Sequence, residues 1–575
     1  MLRYKFLVIL FSFLTFFAKA QEENKTFYYE SGNVEREGKL IDGKEHGVWS
    51  YWDKNGSLIQ KTQFYMGYVN GKTTYYYDNG NKKSEGFIIR GNRDGYYKEW
   101  FRDGKKKLEA YYNEAKRDSI WKHYHINGKL HTKKKYENNT EYLLSYITIQ
   151  GDTLIQKGEG YYEKVIDGIV REEGPYKNGL KDSLHIKRYE NGQIFSSGKY
   201  HKGEKTGKWM TFYKDGSTQS VINYENGLCE FYYENGKPEE KYTLKVGEKH
   251  GNHTVWYPNG KIEKTGDYKN GLKTGLHKYY YENGNLESEI NFEKDLKQGP
   301  AEWHKPGGEP DIIGGFEQDT MQGLWTYMQT NKIQGRIYTT KGNEGRYKDG
   351  QMQGEWTWWY PDSKIWKIGT FENGKRTGKW TVYYENGQKY HEGMFKNGKE
   401  NGLWKSWYEN GQLKEVGTFK SGMLEGEWKG YYEDGSLQFI NHYENNLQTG
   451  TALQYSRQNK LLAEKEYADG MLNGAYKTYY ENGQENIKGE YANNKKVGKW
   501  MVYNQNGKKL REESFINGFR HGTVKIWHPN GNLIEETEYE RGLLHGRKKK
   551  YDNYGKLIFD ATYKFNKLEK LHHSE

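Results

Sequence analysis

The residues with the widest chemical reach in this 575-residue chain are one cysteine and 17 histidines, and neither type is arranged for catalysis. Cys229 stands in Gly227-Leu228-Cys229-Glu230, with no His or Asn at a spacing that would make it a nucleophile, so it reads as a structural thiol. His123, His125 and His131 lie close together but lack the Cys or carboxylate partners of a zinc site. His46, His250, His521 and His545 each precede a glycine at one recurring place, where other stretches put Thr377, Glu425 or Asn473. That place tolerates many side chains, which a ligand position does not. No Walker loop, strand-linked G-x-G-x-x-G or G-x-S-x-G is present. Glu385, Glu409, Glu433 and Glu481 recur as turn residues, and paired-carboxylate hydrolysis needs a pocket that shifts a pKa. The chain is therefore read as non-enzymatic, with no catalytic, cofactor-binding or metal residues assigned.

Aromatic and aliphatic clusters offer binding chemistry instead. Trp356, Trp358, Trp359 and Trp366 form a dense run. Neighbours on a strand face opposite ways, so Trp358 and Trp359 cannot both be core in a one-layer sheet. One of them is expected to be exposed, as a platform for a sugar or a protein partner. The second candidate is Leu143, Leu144, Tyr146 and Ile147, in the most aliphatic stretch after residue 20 (residues 143–155), where the regular pattern breaks. Further irregularities fall at residues 302–315, with Pro306 and Pro310, and at residues 329–344.

The elements that must carry these residues follow from a repeat. Gly occurs 70 times, Tyr 54 and Trp 18, against 8 Pro. From Gly369 the chain repeats every 24 residues, with an aromatic two places after each start (Phe371, Phe395, Phe419) and Gly nine places after it (Gly378, Gly402, Gly426). Half of the tryptophans share one place, among them Trp380, Trp404 and Trp428. The frame extends upstream to give about 21 units. The ninth-place Gly fails only at Ser119, Leu143, Ser183 and Phe231.

Each unit holds two turns and two extended runs. Glu372-Asn373-Gly374 opens a turn expected to close near Gly378, and Glu385-Asn386-Gly387 forms a second, tighter one. Asn-Gly between aromatic-rich runs signals a β-hairpin, because both residues accept positive φ. The fold class is all-β: an elongated, single-layer antiparallel sheet of stacked hairpins, coiled by strand twist. The segments are a targeting signal (1–20), N-terminal repeats (21–133), degenerate repeats with an insertion (134–241), repeats with a Pro/Gly-rich irregular unit (242–344), regular repeats (345–567) and a tail (568–575).

Residues 369–388 (GTFENGKRTGKWTVYYENGQ) and 393–413 (GMFKNGKENGLWKSWYENGQL) resemble MORN repeats, and more closely the bacterial variant found in YwqK-family antitoxin-like proteins. The resemblance implies a hairpin stack that binds proteins or, in some members, phospholipid, and brings no catalytic residues. Its antitoxin label sits poorly with the N-terminus. There Arg3 and Lys5 precede an apolar run from Phe6 to Phe17 and then Ala18-Lys19-Ala20, a cleavable signal with processing expected after Ala20.

The net charge of +12 is interspersed with acids rather than gathered in a stripe, which argues against nucleic acid. The sequence thus predicts an exported protein, periplasmic or secreted, that offers an extended surface to a protein partner. The alternatives are binding to a glycan or an anionic lipid surface, and an antitoxin-like immunity role.

Overall fold

The computed structural model describes residues 21–333 and 336–575; the expected signal over residues 1–20 lies outside them. The described residues contain no helix and form 51 strands in antiparallel pairing. The contacts divide the chain into a unit ending at Lys261 and a unit from Ile262 onward. Among the described residues the first strand, Glu22–Tyr28, and the last, Lys567–Ser574, each pair on one side only.

One repeat shows how the sequence builds the unit. The strand Ile365–Glu372 turns at Asn373-Gly374 into the strand Lys375–Tyr383, and the chain turns again before Lys389–Lys396. Asn373 and Gly374 take φ of 49° and 72°, the two left-handed residues of a type I′ hairpin. The second turn is longer and closes when the Tyr384 N–H donates to Gln388 O at 2.8 Å and the Gly387 N–H to Tyr384 O at 2.9 Å. The expected order of tightness is therefore reversed.

Gly378 does not end a turn. It lies inside Lys375–Tyr383 with φ of 62°, at a register shift: Ile368 faces Thr381, whereas Thr370 faces Thr377. This is a β-bulge, and it re-aims the residues that follow.

What it re-aims is the tryptophan. Trp380 is 4% exposed and lies flat against Gly369, where an added Cβ would stand 2.1 Å from the indole. Its Nε1–H donates to the Thr370 carbonyl beside the bulge, at 3.1 Å. The nine tryptophans at this place all make the same bond, from Trp49 on Lys39 O to Trp500 on Glu490 O. Each ring except Trp49, whose unit has Leu40 there, meets the third-place aromatic edge-on: Phe371–Trp380 at 5.2 Å, Phe395–Trp404 at 5.3 Å, Phe419–Trp428 at 5.2 Å. Such pairs contribute roughly 0.5–1.5 kcal/mol beyond burial. Arg376 spans the rings of Trp380 and Phe395, at 4.9 and 5.3 Å.

Size is matched across this ladder. Eight of the nine tryptophans lie on a glycine, and Trp121 on Ala110. Where the first residue is bulky the second shrinks, as at Ile290 and Ala301 or Thr62 and Thr73, all buried.

The opposite face carries charge. Glu392 takes Lys379 and Lys389 at 3.0 and 2.7 Å, and Glu512 takes Lys499 and Lys509 at 3.5 and 2.6 Å. These exposed pairs contribute little each, about 0–1 kcal/mol, and keep that face wet.

Neighbouring repeats are stitched together along the second turn. The Tyr384 hydroxyl donates to Trp407 O and the Asn386 amide to Glu409 O, both 23 residues on. Tyr29, Tyr77, Tyr189, Tyr281, Tyr408 and Tyr480 repeat the tyrosine bond.

Candidate binding surfaces

Between Trp121 and Trp209 the ladder contains no tryptophan. Smaller rings take over: His131–Tyr146, Tyr146–Tyr162, Tyr162–Tyr176 and Tyr176–His185 lie 5.3, 4.7, 5.8 and 5.6 Å apart. Among these rings Tyr146 forms a buried cluster with Leu143 and Ile155, packed by Leu154, Tyr162 and Tyr176. Two of the four aliphatic-stretch candidates, Leu143 and Tyr146, are thus core, while Leu144 and Ile147 are half-buried. High aliphatic content marked a local core here.

The strand Thr153–Gln156 has only four residues, so the chain closes around its end. The Leu143 N–H donates to Gly179 O at 2.7 Å, and the Gly158 N–H to Leu144 O at 2.9 Å. Beside this short strand a cleft of 840 Å³ opens, reaching from His123 to Lys181.

Its ionisable groups are balanced. Lys134 meets Glu141 at 2.5 Å and Lys181 meets Glu172 at 2.7 Å. Burial opposes ionisation of Glu141, but hydrogen bonds from Lys134 and Tyr136 outweigh it and hold the carboxyl below its ordinary range. Glu172 behaves alike through Lys181. Burial, with the charges of His125, His123 and Lys134, pushes His131 down to about 4. His123 is also lowered, chiefly by burial. With Lys164 and Glu163 the lining holds three lysines and three glutamates, and these two imidazoles are neutral at pH 7.

A pH dependence follows. The folded chain resists protonating His131, so its contribution to stability is whole above the unfolded value near 6.5 and is lost as pH falls toward about 4. Thermal unfolding measured from pH 7.5 to 4 should show this slope reduced in His131→Gln. An identical slope in the variant would remove His131 as its source.

The tryptophan run divides between faces. Trp356 is 1% exposed and belongs to the ladder. Trp358 packs between Trp356 and Trp380, at 5.9 and 5.7 Å. Trp359 lies on the other face, with the Lys341 ammonium 5.7 Å from its ring. Neither Trp358 nor Trp359 is fully exposed, contrary to expectation; the exposed ring is Trp366, at 41%. Lys367 causes part of this, its ammonium standing 4.6 Å from Trp358 and 4.3 Å from Trp366. The long hairpin of Gly323–Ile333 and Arg336–Lys348 adds Gln329, which donates to Tyr360 O at 2.9 Å. Trp358, Trp359 and Trp366 together line a hollow of 460 Å³.

A third surface was passed over in the sequence. On the charged face, Phe87 and Tyr96 are 43% and 68% exposed, and Tyr96 meets Tyr111 edge-on at 5.0 Å. Glu85, Lys98, Glu109 and Lys122 surround them in a hollow of 500 Å³. Aligning the repeats by column reveals the signal: Tyr96 stands where other units carry Lys379, Glu427 or Lys499.

Known proteins supply one family match. The profile of the MORN repeat variant fits residues 45–64, 69–88, 205–226, 225–245, 249–270, 273–294, 352–373, 376–397, 400–421, 424–445, 472–493 and 520–541. No curated protein matches the chain. Among solved structures, TcdB2-TccC3-TEV and TcdB2-TccC3-Cdc42 each align at 10% identity and a TM-score of 0.12, over 96% of this chain. The chain spans about a third of the length of those two, 35% in each case. An alternansucrase in complex with isomaltononaose aligns at 12% identity and a TM-score of 0.13, over 57% of this chain and 23% of its own. Scores this low establish no shared arrangement.

Proposed function

Because this chain is a MORN repeat protein of the variant type, we propose that it is a non-enzymatic scaffold, exported to the cell envelope or beyond, whose sheet holds a protein partner. The observation that carries this reading is the Phe87–Tyr96–Tyr111 patch on the face opposite the ladder. Exposed aromatics ringed by charged pairs have the composition of a binding hot spot with a polar rim. They add nothing to the ladder that holds the fold.

The test is affinity capture from cell envelopes with residues 21–575, beside Phe87→Ser/Tyr96→Ser. Defined proteins should be retained by the parent chain and lost from the variant, since hot-spot truncation commonly costs about 2 kcal/mol or more. The same proteins retained by both would move the interface off this patch.

Trp366 favours a second reading, contact with a glycan or an anionic surface, because an exposed indole beside Lys367 suits both. Binding to anionic lipid would weaken steeply with salt, whereas a packed protein interface would not.

A further inference from the structure

We propose that the cleft between His123 and Lys181 binds a neutral oligosaccharide, recognised through the hydroxyls of Tyr146, Tyr162 and Tyr176. This is a separate surface from the Phe87–Tyr96 patch, and it does not depend on the partner proposed there.

The first ground is the unused hydroxyls. Many other tyrosines bond within the protein, such as Tyr136 to Glu141 and Tyr124 to Glu109, each at 2.6 Å, and the turn tyrosine Tyr384 to a carbonyl 23 residues away. Tyr146, Tyr162 and Tyr176 line the cleft, and their hydroxyls have no hydrogen-bond partner among the described residues. Burial raises the pKa of all three phenols, so each remains both donor and acceptor at neutral pH.

The second ground is charge. Three lysines balance three glutamates in the lining, so neither an anion nor a cation is favoured. A wholly apolar ligand would strip water from the Lys134–Glu141 and Lys181–Glu172 pairs and leave the hydroxyls unbonded, which is costly. A sugar satisfies both demands: its hydroxyls donate to the carboxylates and pair with the phenols, and its C–H faces lie on the rings.

The third ground is where the cleft sits. It opens on the face of the sheet beside the strand Thr153–Gln156, which pairs only with Ser145–Ile147 on one side and Glu159–Gly160 on the other; beyond these, Tyr161–Ile166 pair on one side only among the described residues. An extended peptide would add along that edge through backbone groups and would not need the three hydroxyls, so the Tyr→Phe variant separates it from a sugar. Its 840 Å³ lies within the range of small-molecule sites and leaves room for several sugar rings.

The experiment is a printed array of neutral glycans, acidic glycans and peptides, probed with the chain from Gln21 onward. The parent should retain a set of neutral glycans. Tyr146→Phe/Tyr162→Phe/Tyr176→Phe keeps every ring and its packing, so its melting temperature should match the parent while retention falls at least about tenfold. Phe87→Ser/Tyr96→Ser should retain the glycans unchanged. Three results would overturn the proposal: no neutral glycan retained, retention of only acidic glycans or peptides, or a triple variant that binds as well as the parent.

Discussion

Gly369→Ile and Trp380→Ala should each destabilise their repeat strongly, and together should cost less than the sum of the two. An isoleucine at 369 would drive its side chain into the indole, since even a Cβ would stand 2.1 Å from Trp380 Cδ2. Removing the Trp380 ring leaves a cavity worth about 3–5 kcal/mol. In the double variant the isoleucine occupies the volume the ring vacates. The chain already uses that combination: Ile290 faces Ala301, at 7% and 3% exposure. The coupling between the two substitutions should be favourable by about 2 kcal/mol. Repeats unfold semi-independently, so the readout is hydrogen exchange in peptides spanning residues 365–383 rather than a single global midpoint. Additive losses would show that the matched sizes at these two places are coincidental.

The repeat was legible because its causes are local. Asn373-Gly374 encodes its hairpin by itself, and alternation along Lys375–Tyr383 assigns Trp380 to a face. Features that depend on several strands were not legible. The Tyr384 hydroxyl bonds a backbone carbonyl, and any residue at 407 supplies one, so the link leaves no mark at its far end. Along the chain Leu143 and Tyr146 point to a binding surface because they break the aromatic pattern. In three dimensions they are core, packed with Ile155, and the cleft lies beside them. Phe87 and Tyr96 look ordinary along the chain, since aromatics are everywhere; only their repeat position puts them on the wet face.

Gly378 gives the second large effect, and it separates two reasons for glycine within one repeat. At Gly369 the constraint is contact. At Gly378 the nearest atom to an added Cβ is 4.0 Å away, so there is space, and the constraint is φ of 62°. Serine meets that constraint twice in this chain: Ser119 and Ser183 stand at the same repeat position with φ of 55° and 56°. Two residues after each comes a buried ring that bonds a bulge carbonyl, Trp121 on Tyr111 O and His185 on Pro175 O. Phe231 does not adopt positive φ, its strand pairs with Thr218–Asn223 without a shift, and no tryptophan follows. Each buried ring at this place therefore follows a left-handed residue, as expected if the bulge aims the ring, while Gly299, Gly450 and Gly522 keep the left-handed residue ahead of Ala301, Ala452 and Val524. Gly378→Ser should cost about 1 kcal/mol, and Gly378→Val more than about 2 kcal/mol, because a β-branched side chain in the left-handed region is a steric outlier. Exchange across residues 365–383 should stay slow in the serine variant and accelerate in the valine variant, as Trp380 loses its seat on Gly369. Equal protection in the two variants would mean that the bulge does not need a left-handed residue, and that another force holds the tryptophan in place.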